Sequence, residues 1–145
     1  MTGMADELIN WQAFAETRAL FGDGFVRILG YFREDGMKSV ATIEEAMRLS
    51  DSAKLVLPAH TLKGEAWQFG AEKLASLCEE LEVSARRYVE MHQDPADLVE
   101  KIVQLRPLFE TTLDTLERQI SPLSERRPQN FAQPRLFGNA LFGRA

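Results

Sequence analysis

The chain holds one cysteine, Cys78, in 145 residues. That excludes a disulfide framework and a cysteine-built zinc knuckle. No apolar run reaches the ~20 residues that a membrane-crossing helix needs. Residues 1–7 are polar and acidic rather than leader-like, so the expected compartment is the cytoplasm, with no membrane partner. Strand signals are scarce. Asp23-Gly24 and Asp35-Gly36 are hairpin-type dipeptides, but both lie within helical patterns. Basic charge is in deficit, with 17 Lys and Arg against 22 Asp and Glu, a net charge of −5. Residues 1–120 sum to −8 and residues 121–145 to +3. An acidic body argues against nucleic acid as the main partner.

What is present is helical period. The length suits one domain able to bury a core. Four apolar stripes recur at helical spacing. The first is Phe25, Leu29, Phe32, Val40, Ile43 and Met47, with Gly36 a weak point inside it. The second is Leu55, Ala59, Leu62, Ala66 and Phe69; the third is Leu74, Leu77, Cys78, Leu81 and Ala85. The fourth is Leu98, Ile102, Leu105, Phe109, Leu116 and Ile120. A shorter helix around Trp11 to Phe21, capped by Asn10, precedes them. Trp11, Phe14 and Phe21 read as packing residues.

Short joints separate the stripes. Ser50-Asp51-Ser52 offers caps, Gly70 suits a helix end, and Asp94-Pro95 reads as a cap followed by proline at the first helical position. Pro58 and Pro107 predict a kink or a late start in their helices. The expected fold is all-α: an antiparallel up-down four-helix bundle with a short additional N-terminal helix. Residues 1–120 form that domain. Residues 121–145, basic and rich in Pro, Arg, Asn and Gln, read as a disordered tail. The tail repeats Leu-Phe-Gly at 136–138 and 141–143.

The second stripe carries a polar face. On a wheel of about 100° per residue, Val56, Lys63, Gly64 and Trp67 fall within about 60° of His60, while the apolar stripe lies about 100–180° away. His60 therefore points to solvent. Lys63 is one turn on, within reach of anything attached to the imidazole. Gly64 costs a helix interior about 1 kcal/mol against alanine, and on this face it removes bulk beside the ring. Val56, Leu57 and Trp67 make an apolar patch around a polar centre, the mark of a docking surface. A neutral imidazole is a competent nucleophile near pH 7. No second carboxylate, serine or cysteine is set up as a catalytic partner in the local sequence, so the site suits holding a group better than completing a reaction. His92 lacks such a setting and reads as a helix-end residue. Cys78 reads as a small buried hydrophobe. Glu79-Glu80 and Arg86-Arg87 read as solvated helix face.

Ala59-His60-Thr61-Leu62-Lys63-Gly64, then Phe69-Gly70-Ala71, Leu74, Leu77-Cys78 and Leu81-Glu82, resembles the histidine-containing phosphotransfer (HPt) domain of bacterial two-component phosphorelays. The resemblance covers about residues 8–120. It implies that His60 accepts a phosphoryl group from a receiver-domain aspartate and passes it to another response regulator. It further implies that Lys63 stabilises the phosphoryl group and that Gly64 gives access. The partners so implied are response-regulator receiver domains and a hybrid or other sensor histidine kinase. The chain itself would bind no metal and no cofactor, Mg²⁺ being supplied by the receiver. It would be a stoichiometric carrier, not an enzyme, without kinase or ATPase activity, and a monomer. Two positions depart from the family pattern. Glu65 lies off the His60 face, and Trp67 lies on it, where it narrows the receivers that dock or anchors one of them. The alternative is a non-phosphorylated adaptor bundle that binds receiver or kinase domains. A di-metal carboxylate bundle is excluded by spacing, since Leu57 and Val89 stand where it requires glutamate.

Overall fold

The computed structural model describes residues 7–120. The expected tail, 121–145, lies outside the described residues. Five α-helices follow in order: α1 (Trp11–Phe21), α2 (Phe25–Arg48), α3 (Ala53–Gln68), α4 (Glu72–Glu90) and α5 (Val99–Ile120), with 3₁₀ turns at Gly22–Gly24 and Ala96–Leu98. No strand occurs among the described residues. Helices α2 to α5 make the four-helix bundle and α1 is the short additional helix. None of the described helices is long and apolar enough to cross a membrane. Residues 7–113 belong to one compact unit and residues 114–120 to a second. In the second, Arg118 pairs with Asp114 one turn back at 3.1 Å.

The stripes become the core of the first unit. Leu55, Ala59, Leu62, Ala66 and Phe69 of the second stripe are all buried, as are Leu74, Leu77, Cys78, Leu81 and Ala85 of the third. In α2 the stripe ends on buried Ala46, with Met47 half-buried. An aromatic ladder crosses this core: Trp11 on Phe14, Phe14 on Phe25, Phe25 on Phe69, Phe69 on Phe32 and Phe32 on Phe109, with centroids 5.2–5.6 Å apart. Most of these contacts are edge-to-face, the arrangement the ring quadrupole favours, each adding about 0.5–1.5 kcal/mol beyond area burial. Phe14 is buried, while Trp11 packs on it at the end of the ladder with 44% of its surface exposed, and Phe21 is 37% exposed.

Gly36 turns out to be a point of close approach. A Cβ there would overlap the Phe109 ring of α5. Glycine costs α2 some helix propensity, and in exchange the two helices close on each other. Nearby, Arg106 of α5 grips Glu44 of α2 through two bonds of 3.0 and 2.8 Å.

Helices α2, α3 and α4 end in the same way. Asp51 N–H bonds to Ala46 C=O, Ala71 N–H to Ala66 C=O, and Gln93 N–H to Tyr88 C=O, each over a left-handed residue. That paired-carbonyl ending favours glycine. Gly70 fits it, with φ 75°, whereas Ser50 and His92 adopt φ 52° and 54° without that freedom. His92 is thus a helix-end residue, as the sequence indicates. Gly70 has a further role, because a Cβ there would press on the backbone of Asn10 and Phe14. Its carbonyl accepts Asn10 N–H at 2.7 Å. Asn10 caps α1 by accepting Ala13 N–H at 3.1 Å and donates to Glu72 at 2.8 Å. So α1 is pinned to the α3–α4 turn.

Three local expectations shift. Both prolines lie well inside their helices, five and eight residues after the starts, so neither marks a late start. Pro95 takes the cap position of the 3₁₀ turn that precedes α5 rather than its first helical position, and Asp94 accepts Ala96 N–H at 3.0 Å just ahead of it. Ser52 makes no cap bond of its own; Asp51 accepts Lys54 N–H instead, and Ser52 Oγ donates to Gln93 C=O at 2.7 Å. That bond ties the start of α3 to the end of α4.

Candidate functional site

Helix α3 turns its buried stripe inward, so the opposite face is left for solvent. His60 stands there with 56% of its side chain exposed. Gly64 is exposed, with open space where a Cβ would be. Leu57 and Trp67 are exposed and Val56 is half-buried. The wheel placed these residues on or near one face, and that is where they lie. Lys63 is less exposed than the wheel alone suggests, at 22% of its side chain, because α4 draws it in.

What draws it in is Glu82, a residue that the sequence places in the motif but to which it assigns no role. It projects from α4 toward the polar face of α3 with only 7% of its side chain exposed. Its Oε2 lies 3.0 Å from His60 Nδ1. The same oxygen accepts from Arg86 Nε at 3.1 Å and Nη2 at 2.8 Å. Its Oε1 meets Lys63 Nζ at 2.9 Å, an ion pair by distance without directed hydrogen-bond geometry. A carboxylate thus stands beside the imidazole after all, supplied by the neighbouring helix. The sequence signal was available: Glu82 sits four residues after Cys78 and three before Ala85, at the edge of a buried apolar stripe. A charge in that register needs a partner.

The electrostatics follow from this packing. Burial raises the Glu82 pKa, but the contact with the Lys63 ammonium and the hydrogen bonds from Arg86 and His60 outweigh it and bring it down to about 2. The carboxyl is therefore ionised at neutral pH and can only accept hydrogen bonds. Of the two ring nitrogens, Nδ1 must then be the one that carries the proton toward Glu82. The close contact with Glu82 in turn raises the pKa of Lys63, despite partial desolvation. Glu79, read from sequence as solvated, approaches Lys63 Nζ at 3.5 Å. Arg86, read the same way, belongs to the Glu82 cluster.

The other residues singled out lie elsewhere. Glu65 is half-buried and faces Asp35 of α2. Desolvation, then the Asp35 charge, pushes its pKa up to about 7, and its Oε1 is buried without a hydrogen-bond partner. Cys78 is buried, and burial pushes its thiol up to about 12, which leaves it unreactive. Among the described residues no group of three or more His, Cys, Asp or Glu is placed to hold a metal ion.

The site thus presents one outward imidazole, oriented from behind by a buried carboxylate, with an ammonium beside it and a cleared approach. Such an arrangement can accept and hold an anionic group. Comparison with known proteins gives it a setting. Two solved structures are similar in fold. Histidine-containing phosphotransfer protein B (HptB) from Pseudomonas aeruginosa PAO1 superposes with a TM-score of 0.70 at 23% identity, over 81% of this chain and 97% of its own. The HPT domain of a sensor hybrid histidine kinase from Shewanella gives 0.65 at 19% identity, over 84% of this chain and 99% of its own. No curated protein matches the chain. The family model of the Hpt domain matches residues 27–119. With that match spanning most of the bundle and His60 at its exposed centre, the chain belongs to the Hpt domain family, whose role is phosphotransfer in phosphorelays.

Proposed function

We propose that this protein is a phosphorelay intermediate in which His60 accepts a phosphoryl group from a receiver-domain aspartate and passes it to another response regulator. The observation that carries this reading is the contact of His60 Nδ1 with the buried Glu82 carboxylate. With its proton held on Nδ1, the neutral ring keeps a lone pair on Nε2, which is the nucleophile.

The step balances without a separate base. The Nε2 lone pair forms the N–P bond as the acyl O–P bond of the aspartyl phosphate breaks, and the carboxylate leaves on the receiver. The ring becomes an imidazolium that keeps its Nδ1 proton, hydrogen-bonded to the Glu82 carboxylate. Loading a second receiver reverses these events. Rate enhancement comes from positioning and charge neutralisation. Lys63 neutralises the incoming phosphoryl group, and Mg²⁺ arrives with the receiver. The receiver docks on Val56, Leu57, Gly64 and Trp67, where the open space over Gly64 admits it and Trp67 acts as an anchor. The partners are response-regulator receiver domains and a hybrid or other sensor histidine kinase. The protein works as a cytoplasmic monomer, a stoichiometric carrier without kinase or ATPase activity. A pure adaptor would have no use for a buried carboxylate that orients an exposed imidazole.

The test is incubation with a panel of prephosphorylated receivers and Mg²⁺, following label by gel. Wild type should acquire acid-labile, base-stable label and His60→Gln none, with unchanged helical circular dichroism. Receivers that bind tightly but never transfer would favour the adaptor.

A further inference from the structure

Lys63 is claimed by two carboxylates of different character. Glu82 is buried and also held by His60 and Arg86, so it cannot follow the ammonium if that moves. Glu79 lies three residues earlier on α4, has 56% of its side chain exposed, and reaches Lys63 Nζ at 3.5 Å. It is free to swing away. We propose that Glu79 sets how fully and how long the phosphoryl group resides on His60, by competing with that group for Lys63.

The inference rests on His60 being the phosphoacceptor. His60, Glu82, Lys63 and Glu79 form one continuous chain of contacts, so a phosphoryl group on His60 enters a place where the nearby ammonium is already engaged. Lys63 has three N–H donors. One remains with Glu82, whose position is fixed. The phosphoryl oxygens and Glu79 then draw on the others, and the two anions repel across a short, partly solvated gap. Glu79 thereby raises the energy of the phosphorylated state relative to what Lys63 alone would give, and the group leaves more readily. That suits a carrier, which must release what it accepts. Glu79 acts through Lys63 and touches neither ring nor phosphorus, so it is a positioning residue. Since the Glu79–Lys63 pair is exposed, its effect should be modest, about two- to fivefold in an equilibrium, and should shrink at about 1 M salt, where charges are screened within about 3 Å.

The experiment uses the full chain as wild type, Glu79→Gln, Lys63→Ala and the double variant. Each is equilibrated with a phosphorylated receiver and Mg²⁺, the label partition is measured, and decay of the isolated phosphoprotein is followed. Glu79→Gln should move the partition toward phospho-His60 by about two- to fivefold and lengthen the lifetime in the same sense. Its thermal melt should match wild type, which separates this effect from a structural one. In the Lys63→Ala background the same substitution should do distinctly less. Label on His60 with equal partition and lifetime in wild type and Glu79→Gln would overturn this inference alone. An undiminished effect without Lys63 would overturn it too. No label on any variant would overturn the phosphoacceptor reading and this inference with it.

Discussion

His60 Nδ1 lies 3.0 Å from Glu82 Oε2, although the two residues are 22 positions apart and on different helices. The exposed imidazole is thereby given one orientation and one tautomer by a carboxylate that solvent scarcely reaches. Glu82→Gln should break this arrangement. An amide brings its own N–H donors toward Lys63, Arg86 and His60, and one donor contact becomes repulsive. Transfer to His60 should slow by about tenfold or more, and stability should fall by about 1–3 kcal/mol, less than for a fully buried pair because Lys63 and Arg86 can regain water. Stopped-flow transfer and urea unfolding of the same preparation measure both.

The same residue governs the acid limb of stability. Its pKa is about 2 in the folded protein against about 4.5 in an unfolded chain. The folded state is favoured by ionised Glu82, so this contribution is complete above about pH 4.5 and is lost as pH falls toward 2, on the order of 2–3 kcal/mol. Urea midpoints between pH 2.5 and 5 should rise with pH in wild type. They should rise distinctly less in Glu82→Gln.

Glu65 acts in the opposite sense over a different window. Its folded pKa is raised from 4.5 to about 7 by desolvation and then by Asp35. The folded state holds this proton more tightly than the unfolded chain does. Stability is therefore favoured below about pH 4.5 and declines as pH rises through 7, on the order of 1–2 kcal/mol after allowing for solvent screening. Glu65→Gln should raise the urea midpoint at pH 8 and flatten the decline between pH 5 and 8. An unchanged decline in the variant would contradict this assignment.

Gly36 and Gly64 should respond oppositely to alanine. At Gly36 the new methyl overlaps the Phe109 ring, so Gly36→Ala should destabilise by about 1–3 kcal/mol despite the better helix propensity. At Gly64 nothing lies within 4 Å of the new atom, so Gly64→Ala should stabilise by up to about 1 kcal/mol. A bulkier Gly64→Gln should keep the fold and slow transfer from receivers by about tenfold, because only the partner meets the added side chain. Denaturation and transfer rates measured together distinguish a glycine kept for packing from one kept for docking.

The contrast between these two glycines shows what the sequence reveals. Apolar period places the four bundle helices, and the wheel puts His60, Gly64 and Trp67 on the outer face of α3, since both depend on local geometry alone. The reason for Gly36 is invisible there, because it depends on Phe109, 73 positions away and on another helix. Glu82 is hidden for the same reason. Its partners on α3 become neighbours only once α3 and α4 pack, and the one local hint is a charge set in an apolar register. The helix endings divide likewise. Gly70 announces itself, while Ser50 and His92 take the same left-handed backbone without a residue type that advertises it.

The central claim is that His60 carries the phosphoryl group on Nε2, with Nδ1 held by Glu82. The direct measurement is ³¹P and ¹⁵N NMR of histidine-labelled protein after transfer from a phosphorylated receiver. One phosphoramidate is expected, on Nε2 of His60, with a protonated Nδ1. Phosphorylation at Nδ1, at His92, or undiminished in His60→Gln would contradict it.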